Sequence, residues 1–212
     1  MFDFAFVDWD NTVYDTEMFK NDILNIFSKY GASVEDIKKT FRQSLCTISP
    51  DQYDYSFPEH ISFLRELGYK LPESIEAELN TLFVKDYIFP EAQSFLQFLK
   101  QVSEKVMLLS AGDYDFQLRK IKASKIYNNF DDVIIISGGK PKYLVGNFVG
   151  NKIFFVNDNL KENKSVKTEI PAALVVTKLN IKRDSEVEAA KIGVPYFTNL
   201  TDIQNYVAQQ IK

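Results

Sequence analysis

Phe4-Ala5-Phe6-Val7-Asp8-Trp9-Asp10-Asn11-Thr12 is the stretch on which the reading of this chain turns. Four mostly apolar residues run directly into two carboxylates separated by one residue, and a threonine follows. An apolar run closed by the turn formers Asp and Asn reads as a strand buried on both faces that ends in a loop. The carboxylates then lie at the carboxyl end of a buried strand, the edge at which open α/β sheets bind ligands. Two acids so close repel each other unless a cation or protons intervene. A hard, oxygen-seeking Mg²⁺ is the natural partner. Taken alone, the same residues also suit an ordinary solvated turn, so the reading depends on what the rest of the chain supplies.

The 212 residues fit one large domain or a domain carrying a sizeable insertion, and the 45% apolar content suffices for a real core. With 29 acidic against 25 basic side chains and no long basic run, nothing favours a nucleic-acid partner. The single cysteine, Cys46, excludes an intrachain disulfide and reads as a small buried residue. Asp3 and Asp8 interrupt the N-terminal apolar stretch too early for a secretion signal. No apolar run approaches the ~20 residues that span a bilayer. The expectation is a soluble, cytoplasmic protein with no membrane partner; no feature of the sequence specifies an oligomeric state.

Strand-like runs stand at residues 2–8, 105–109, 132–136, 152–156 and 172–177, each short, apolar or β-branched, and ending near Ser, Gly, Asn or Asp. Helical spacing appears at 91–101, where Ala92, Phe95, Leu96 and Leu99 share a face behind Pro90, and at 115–124 through Phe116, Leu118 and Ile121. A further amphipathic helix is expected at 200–211. Strands alternating with helices indicate a parallel α/β sheet with Rossmann-like βαβ units. Roughly 95 residues separate the first two strands, far more than the dozen a crossover requires. Within that gap 17–29, 34–45, 58–67 and 73–84 show helical spacing, punctuated by Gly31, Ser49-Pro50, Gly68 and Pro72. The division expected is an α/β core of residues 1–15 and 89–212, with an all-helical insertion of residues 16–88 between linkers near 14–17 and 86–91. Tyr53, Tyr55 and Phe57 read as an aromatic loop entering a helix, with packing as their simplest role. There is no internal repeat and no low-complexity tract.

Three later strand ends supply complementary chemistry. Ser110-Ala111-Gly112 offers a hydroxyl and a glycine that lets backbone N–H groups approach an anion. Ser137-Gly138-Gly139-Lys140-Pro141-Lys142 puts a lysine at a loop–helix junction, since proline suits the first helical turn. It is not a nucleotide-binding P-loop, because the glycine spacing and the following hydroxyl are missing. Asp158 follows the apolar Phe154-Phe155-Val156 run through Asn157. In a parallel sheet all these carboxyl ends share one edge. Asp8, Asp10, Ser110, Lys140 and Asp158 can therefore converge as a phosphoryl-transfer site.

This ordered set resembles the four motifs of the haloacid dehalogenase superfamily, in its phosphatase-like branch, and the insertion is similar to that superfamily's helical cap. The resemblance spans nearly the whole chain. It implies that Asp8 is the nucleophile, forming an aspartyl-phosphate, and that Asp10 is the general acid and base. It implies Mg²⁺ held by Asp8, the Asp10 backbone carbonyl and Asp158. Ser110 and Lys140 would be catalytic and would bind the phosphoryl group, with backbone N–H groups of Trp9, Asp10 and Ala111. Thr12, counted with the substrate-binding residues, would hydrogen-bond within the nucleophile loop. Dehalogenases resemble this fold but usually lack the second acid. Asn157 stands where the family often has an acid, which removes one negative charge beside the metal. Lys140 is the favoured motif lysine and Lys142 the alternative. The cap would exclude water and carry substrate contacts, with Tyr14, Asp15, Glu17 and Lys20 as polar candidates. His60, opening a helix, is expected to be exposed. The activity implied is a Mg²⁺-dependent phosphohydrolase for a small phosphorylated metabolite. The alternatives are a phosphotransferase or phosphomutase, and a catalytically weak binding or regulatory member.

Overall fold

β1 (Phe2–Val7) lies at the centre of the sheet because both its faces are covered: Ala5, Phe6 and Val7 are fully buried. The computed structural model describes residues 1–45 and 55–211. Among these, β2 (Ser103–Ala111), β3 (Asp132–Ile136), β4 (Ile153–Asn157), β5 (Leu174–Lys178) and β6 (Tyr196–Phe197) join β1 in a six-stranded parallel sheet ordered β3-β2-β1-β4-β5-β6. Val7 pairs with Leu108 on one side and Val156 on the other, which brings the ends of β2 and β4 level with Asp8.

The two-residue alternation of the strands divides the core into two layers. Ala5 and Val7 face α5 (Ala92–Val102) and α10 (Leu200–Gln210) through Phe95, Leu96, Ile203 and Val207. Phe6, Leu109 and Phe155 face α7 (Lys140–Phe148) and α8 (Leu160–Glu169) through Leu144 and Val166. α6 (Tyr114–Lys122) follows β2, and α9 (Glu186–Lys191) follows β5.

Between β1 and β2 run α1 (Thr16–Lys29), α2 (Val34–Ser44), α3 (Phe57–Glu66) and α4 (Ile75–Asn80). Asp15, Ser33 and Ser56 cap the first three, each side chain accepting a backbone N–H of the first turn. Phe19, Ile23 and Phe27 recur on one face of α1 and pack in the same apolar cluster as Ile61, Leu64, Leu79 and the β1 face bearing Val7. The segments leading into and out of these helices lie side by side: Asp15 N–H donates to Tyr87 O at 2.7 Å and Phe89 N–H to Val13 O at 3.0 Å.

Several expectations need adjustment. The helix foreseen at 73–84 is α4 followed by a 3₁₀ turn over Thr81–Val84. β6 has only two residues, too few for a periodic signal, and α8 buries only Asn163 and Val166, so its pattern is mostly polar. His60 is fully buried rather than exposed. Its Nδ1 meets Tyr55 Oη at 2.8 Å, and its Nε2 meets Thr40 Oγ1 at 2.9 Å. Cys46, Ser49, Pro50 and Tyr53 lie outside the described residues. Among the described residues no helix is long and apolar enough to cross a membrane.

Candidate active site

Asp8 leaves the end of β1 with its backbone N–H on Val156 O at 3.0 Å, and its side chain is almost wholly enclosed. Thr12 Oγ1 donates to Asp8 Oδ2 at 2.8 Å, and Lys140 Nζ donates to Oδ1 at 2.6 Å. The turn that returns Thr12 to Asp8 needs Asn11 at φ +57°, a left-handed conformation that Asn tolerates better than most residues. Thr12 is fully buried and spends its hydroxyl on Asp8, so it positions that carboxylate instead of meeting a substrate. Lys140, the first residue of α7, is buried and also donates to Asn157 Oδ1 at 3.1 Å, whereas Lys142 is exposed. Asn157 in turn donates to Glu162 Oε2 at 2.9 Å. The residue standing where an acid is common thus links the lysine to a carboxylate one helical turn further on.

Asp10 is held by groups that the sequence reading did not pick out. Thr16 Oγ1 and Lys120 Nζ donate to its Oδ1, the lysine at 2.6 Å, and Gln117 Nε2 donates to Oδ2 at 2.8 Å. Gln117, Lys120 and Ile121 form the buried face of α6, in place of the expected Phe116, Leu118 and Ile121. A polar pair three residues apart was the available signal, but apolar spacing outweighed it. Asp158 was foreseen; its cation was not. Arg183, in the loop after β5, donates to Asp158 Oδ2 at 2.9 Å and to its backbone carbonyl at 2.7 Å, and Asn11 Nδ2 adds a bond at 3.3 Å. Ser110, the next-to-last residue of β2, is almost fully buried, and its Oγ has no hydrogen-bond partner among the described residues. Gly112, at φ +143°, turns the chain beyond Ala111.

Electrostatics separates the acids. Burial holds the Asp8 carboxyl above the usual carboxylate range; Lys140 pulls it down, and the charge of Asp158 pushes it up again. Burial also raises Asp158, against the pull of Arg183 and Lys140. Burial opposes ionisation of Asp10 too, but the charge and hydrogen bond of Lys120, with Thr16 and Gln117, hold it down at about 2. Asp10 is therefore a stable carboxylate, while Asp8 and Asp158 strain against each other. A cavity of about 710 Å³ opens over Asp8, Asp10, Ala111, Lys140 and Asp158 and reaches up to α1 and α2.

No protein-family model matches the sequence, and no curated protein matches it. Solved structures do match. A protein from Burkholderia xenovorans LB400, provisionally designated a haloacid dehalogenase-like hydrolase, is 18% identical with a TM-score of 0.74 over 100% of both chains. The L-2-haloacid dehalogenase of Xanthobacter autotrophicus is 18% identical with a TM-score of 0.66, covering 98% of this chain and 99% of that one. A HAD-hydrolase of Bacillus subtilis described as bound to magnesium is 14% identical with a TM-score of 0.63, covering 97% and 98%. The fold is that of the haloacid dehalogenase-like hydrolases.

Within this haloacid dehalogenase-like fold the donor set can be tested for a cation. Among the described residues no three carboxylate, histidine or cysteine side chains form a metal cage. The candidates are instead two carboxylates and a carbonyl: Asp8, Asp158 and the Asp10 backbone. Burial and the charge of Asp158 raise the pKa of Asp8, burial raises that of Asp158, and Asp158 Oδ1 takes no protein donor among the described residues. The five carboxylates of the network (Asp8, Asp10, Asp158, Glu162, Asp184) face three cations (Lys120, Lys140, Arg183). That surplus of two negative charges, borne by hard oxygens, suits one Mg²⁺. The residues fit the ion.

Proposed function

We propose that this protein is a Mg²⁺-dependent phosphohydrolase acting on a small phosphorylated metabolite. The observation that carries the reading is the buried Asp8–Lys140 pair at 2.6 Å, with Asp10 two residues on, separately held as a carboxylate. Mg²⁺, held by Asp8, Asp158 and the Asp10 carbonyl, would neutralise charge on the transferring phosphoryl group. In the first half-reaction an Asp8 oxygen attacks phosphorus, the bond to the leaving oxygen breaks, and that oxygen takes a proton from Asp10. In the second, Asp10 removes a proton from water, the water oxygen attacks phosphorus, and the bond to Asp8 breaks, releasing phosphate. Thr12 and Lys140 keep Asp8 aimed, and the unpartnered Ser110 hydroxyl suits a phosphoryl oxygen. The Lys120 pair favours Asp10 as the base of the second half and opposes its protonation for the first. In this mechanism the first half-reaction requires Asp10 to take up a proton from water as the ester binds, against the pull of Lys120. In this reading residues 16–88 are a cap over the site, residues 1–15 and 89–212 the catalytic core, and the protein works in the cytoplasm.

Phosphate release from a panel of phosphorylated metabolites, with Mg²⁺ and with EDTA, tests this. Asp8→Asn is expected to abolish turnover, because an amide cannot form the acyl phosphate. Wild-type rates in that variant would sink the aspartyl-phosphate mechanism. Transfer to an added sugar alcohol instead of water would favour a phosphotransferase.

A further inference from the structure

The cavity has two chemically distinct ends. At one lie the acids and lysines of the sheet edge; the wall facing them is made of rings. Phe19 comes from α1, Phe41 from α2, Tyr55 from the start of the α3 segment and Phe116 from α6. They brace one another: Phe41 lies on Tyr55 at 4.7 Å between centroids, Tyr55 meets Phe116 edge-on at 5.1 Å, and Phe116 meets Phe19 at 6.2 Å. Tyr55 spends its hydroxyl on His60, so it offers ring surface, not a hydroxyl.

We propose that the organic part of the substrate carries a planar aromatic ring, held against Phe19, Phe41, Tyr55 and Phe116. The proposal rests on the phosphohydrolase reading and names its substrate class. Its geometry follows from two helices. Thr16 and Phe19 are three residues apart on α1, so the hydroxyl that holds Asp10 and the first ring of the wall share a face. On α6, Phe116 adjoins Gln117, which also holds Asp10. An ester whose leaving oxygen meets Asp10 therefore lays its organic group on these rings.

Among the described residues, the polar side chains that the insertion places on that wall are already engaged. These are Thr16 and Lys20. Thr16 bonds Asp10, while Lys20 pairs with Glu17 at 3.0 Å and lies 5.5 Å from the Phe41 ring centre. A sugar phosphate would bring hydroxyls against the four rings, which offer them no hydrogen-bond partner, and that is costly. A ring gains from burial and from edge or face contacts with the four aromatic side chains.

The test compares two esters of primary alcohols, 2-phenylethyl phosphate and glucose 6-phosphate, so that leaving-group chemistry is matched. Acetyl phosphate serves as a ring-free reference. The ring-bearing ester is expected to show about tenfold higher kcat/KM than the sugar ester, carried by KM. Phe41→Ala should narrow that ratio to about threefold or less, and Phe41→Tyr should restore it. Equal or better turnover of glucose 6-phosphate, or an unchanged ratio in Phe41→Ala, would overturn the ring pocket. Acetyl phosphate hydrolysis would then leave the phosphohydrolase reading standing. If no compound releases phosphate, that reading falls, and calorimetric binding of the two esters to the wild-type protein still decides the pocket. Tighter binding of the phenylethyl ester supports it, and equal binding refutes it.

Discussion

His60 is the chain's only histidine, so its titration can be followed without interference. It is fully buried, with Tyr55 on Nδ1 and with Thr40 Oγ1 and Ile37 O near Nε2. Burial lowers its pKa from the ordinary 6.5 to about 4, against a small opposing pull from the Ile37 carbonyl. Between those values the unfolded chain takes up a proton that the folded protein refuses. Stability from this group is therefore complete above the unfolded pKa and is lost as pH falls from about 6.5 towards about 4. Integrating the two titrations from about pH 7 to about pH 5 gives a loss of about 2 kcal/mol, and full burial calls for no discount for solvent.

Asp8 and Asp158 act in the opposite sense. Their raised pKa values mean that the folded protein binds their protons more tightly, so they add stability as pH falls. The total slope mixes these effects, and the difference between wild type and His60→Gln isolates the histidine. Urea denaturation at the two pH values should show the stability gap between the proteins shrinking by about 2 kcal/mol on acidification. A change below about 0.5 kcal/mol, or an imidazole that titrates above about pH 6 by NMR, would refute the reasoning. His60 braces Tyr55, so acid should also loosen the aromatic wall of the cavity.

Lys120→Met removes the cation that holds Asp10 ionised. The stabilisation of a depressed carboxyl is present above about pH 4 and lost as pH falls through about 2, so the variant should lose roughly 1–2 kcal/mol at neutral pH and nothing at the acid extreme. A double-mutant cycle with Asp10→Asn measures the coupling, and a value near zero would deny the ion pair. Arg183→Ala frees Asp158 of its competing cation. Calorimetry should find Mg²⁺ bound about three- to tenfold more tightly, whereas weaker binding would show that Arg183 holds Asp158 in its ligating pose.

The sheet was legible because β1 and β4 are apolar on both faces and end in acids, which fixes both their burial and the edge they share. The same logic found Asp8, Asp158 and Lys140, each at or just beyond a strand end. It missed Lys120 and Arg183 for different reasons. Lys120 lies in a helix, where a lysine normally faces water, and its contacts with Asp10 and with the Tyr14, Phe19 and Phe116 rings account for its burial. Arg183 sits in an irregular loop, where sequence spacing carries no direction. Asn157 was read as a lost charge; in the structure its amide bridges Lys140 and Glu162, so a carboxylate remains in the network from one turn along α8.

The fold alone does not distinguish displacement of a halide from displacement of an alkoxide, since the structures it resembles include an L-2-haloacid dehalogenase. Asp10 is the discriminating group. A halide departs without a proton, so a carboxylate beside it has nothing to deliver; an alkoxide needs one. Three donors from two helices converge on Asp10 and hold it ionised, an arrangement that suits the base of the second half-reaction; delivering a proton to an alkoxide requires that Asp10 be protonated as the ester binds. The argument has a sharp consequence. Asp10→Asn should slow 2-phenylethyl phosphate, whose leaving group is strongly basic, by about 10²–10⁴-fold. Acetyl phosphate expels a carboxylate that needs no proton, so its first half-reaction should be spared. A single-turnover burst of acetate from acetyl phosphate, followed by slow phosphate release, should persist in the variant. Equal loss of both first steps would mean that Asp10 organises the loop around Asp8 instead of moving protons.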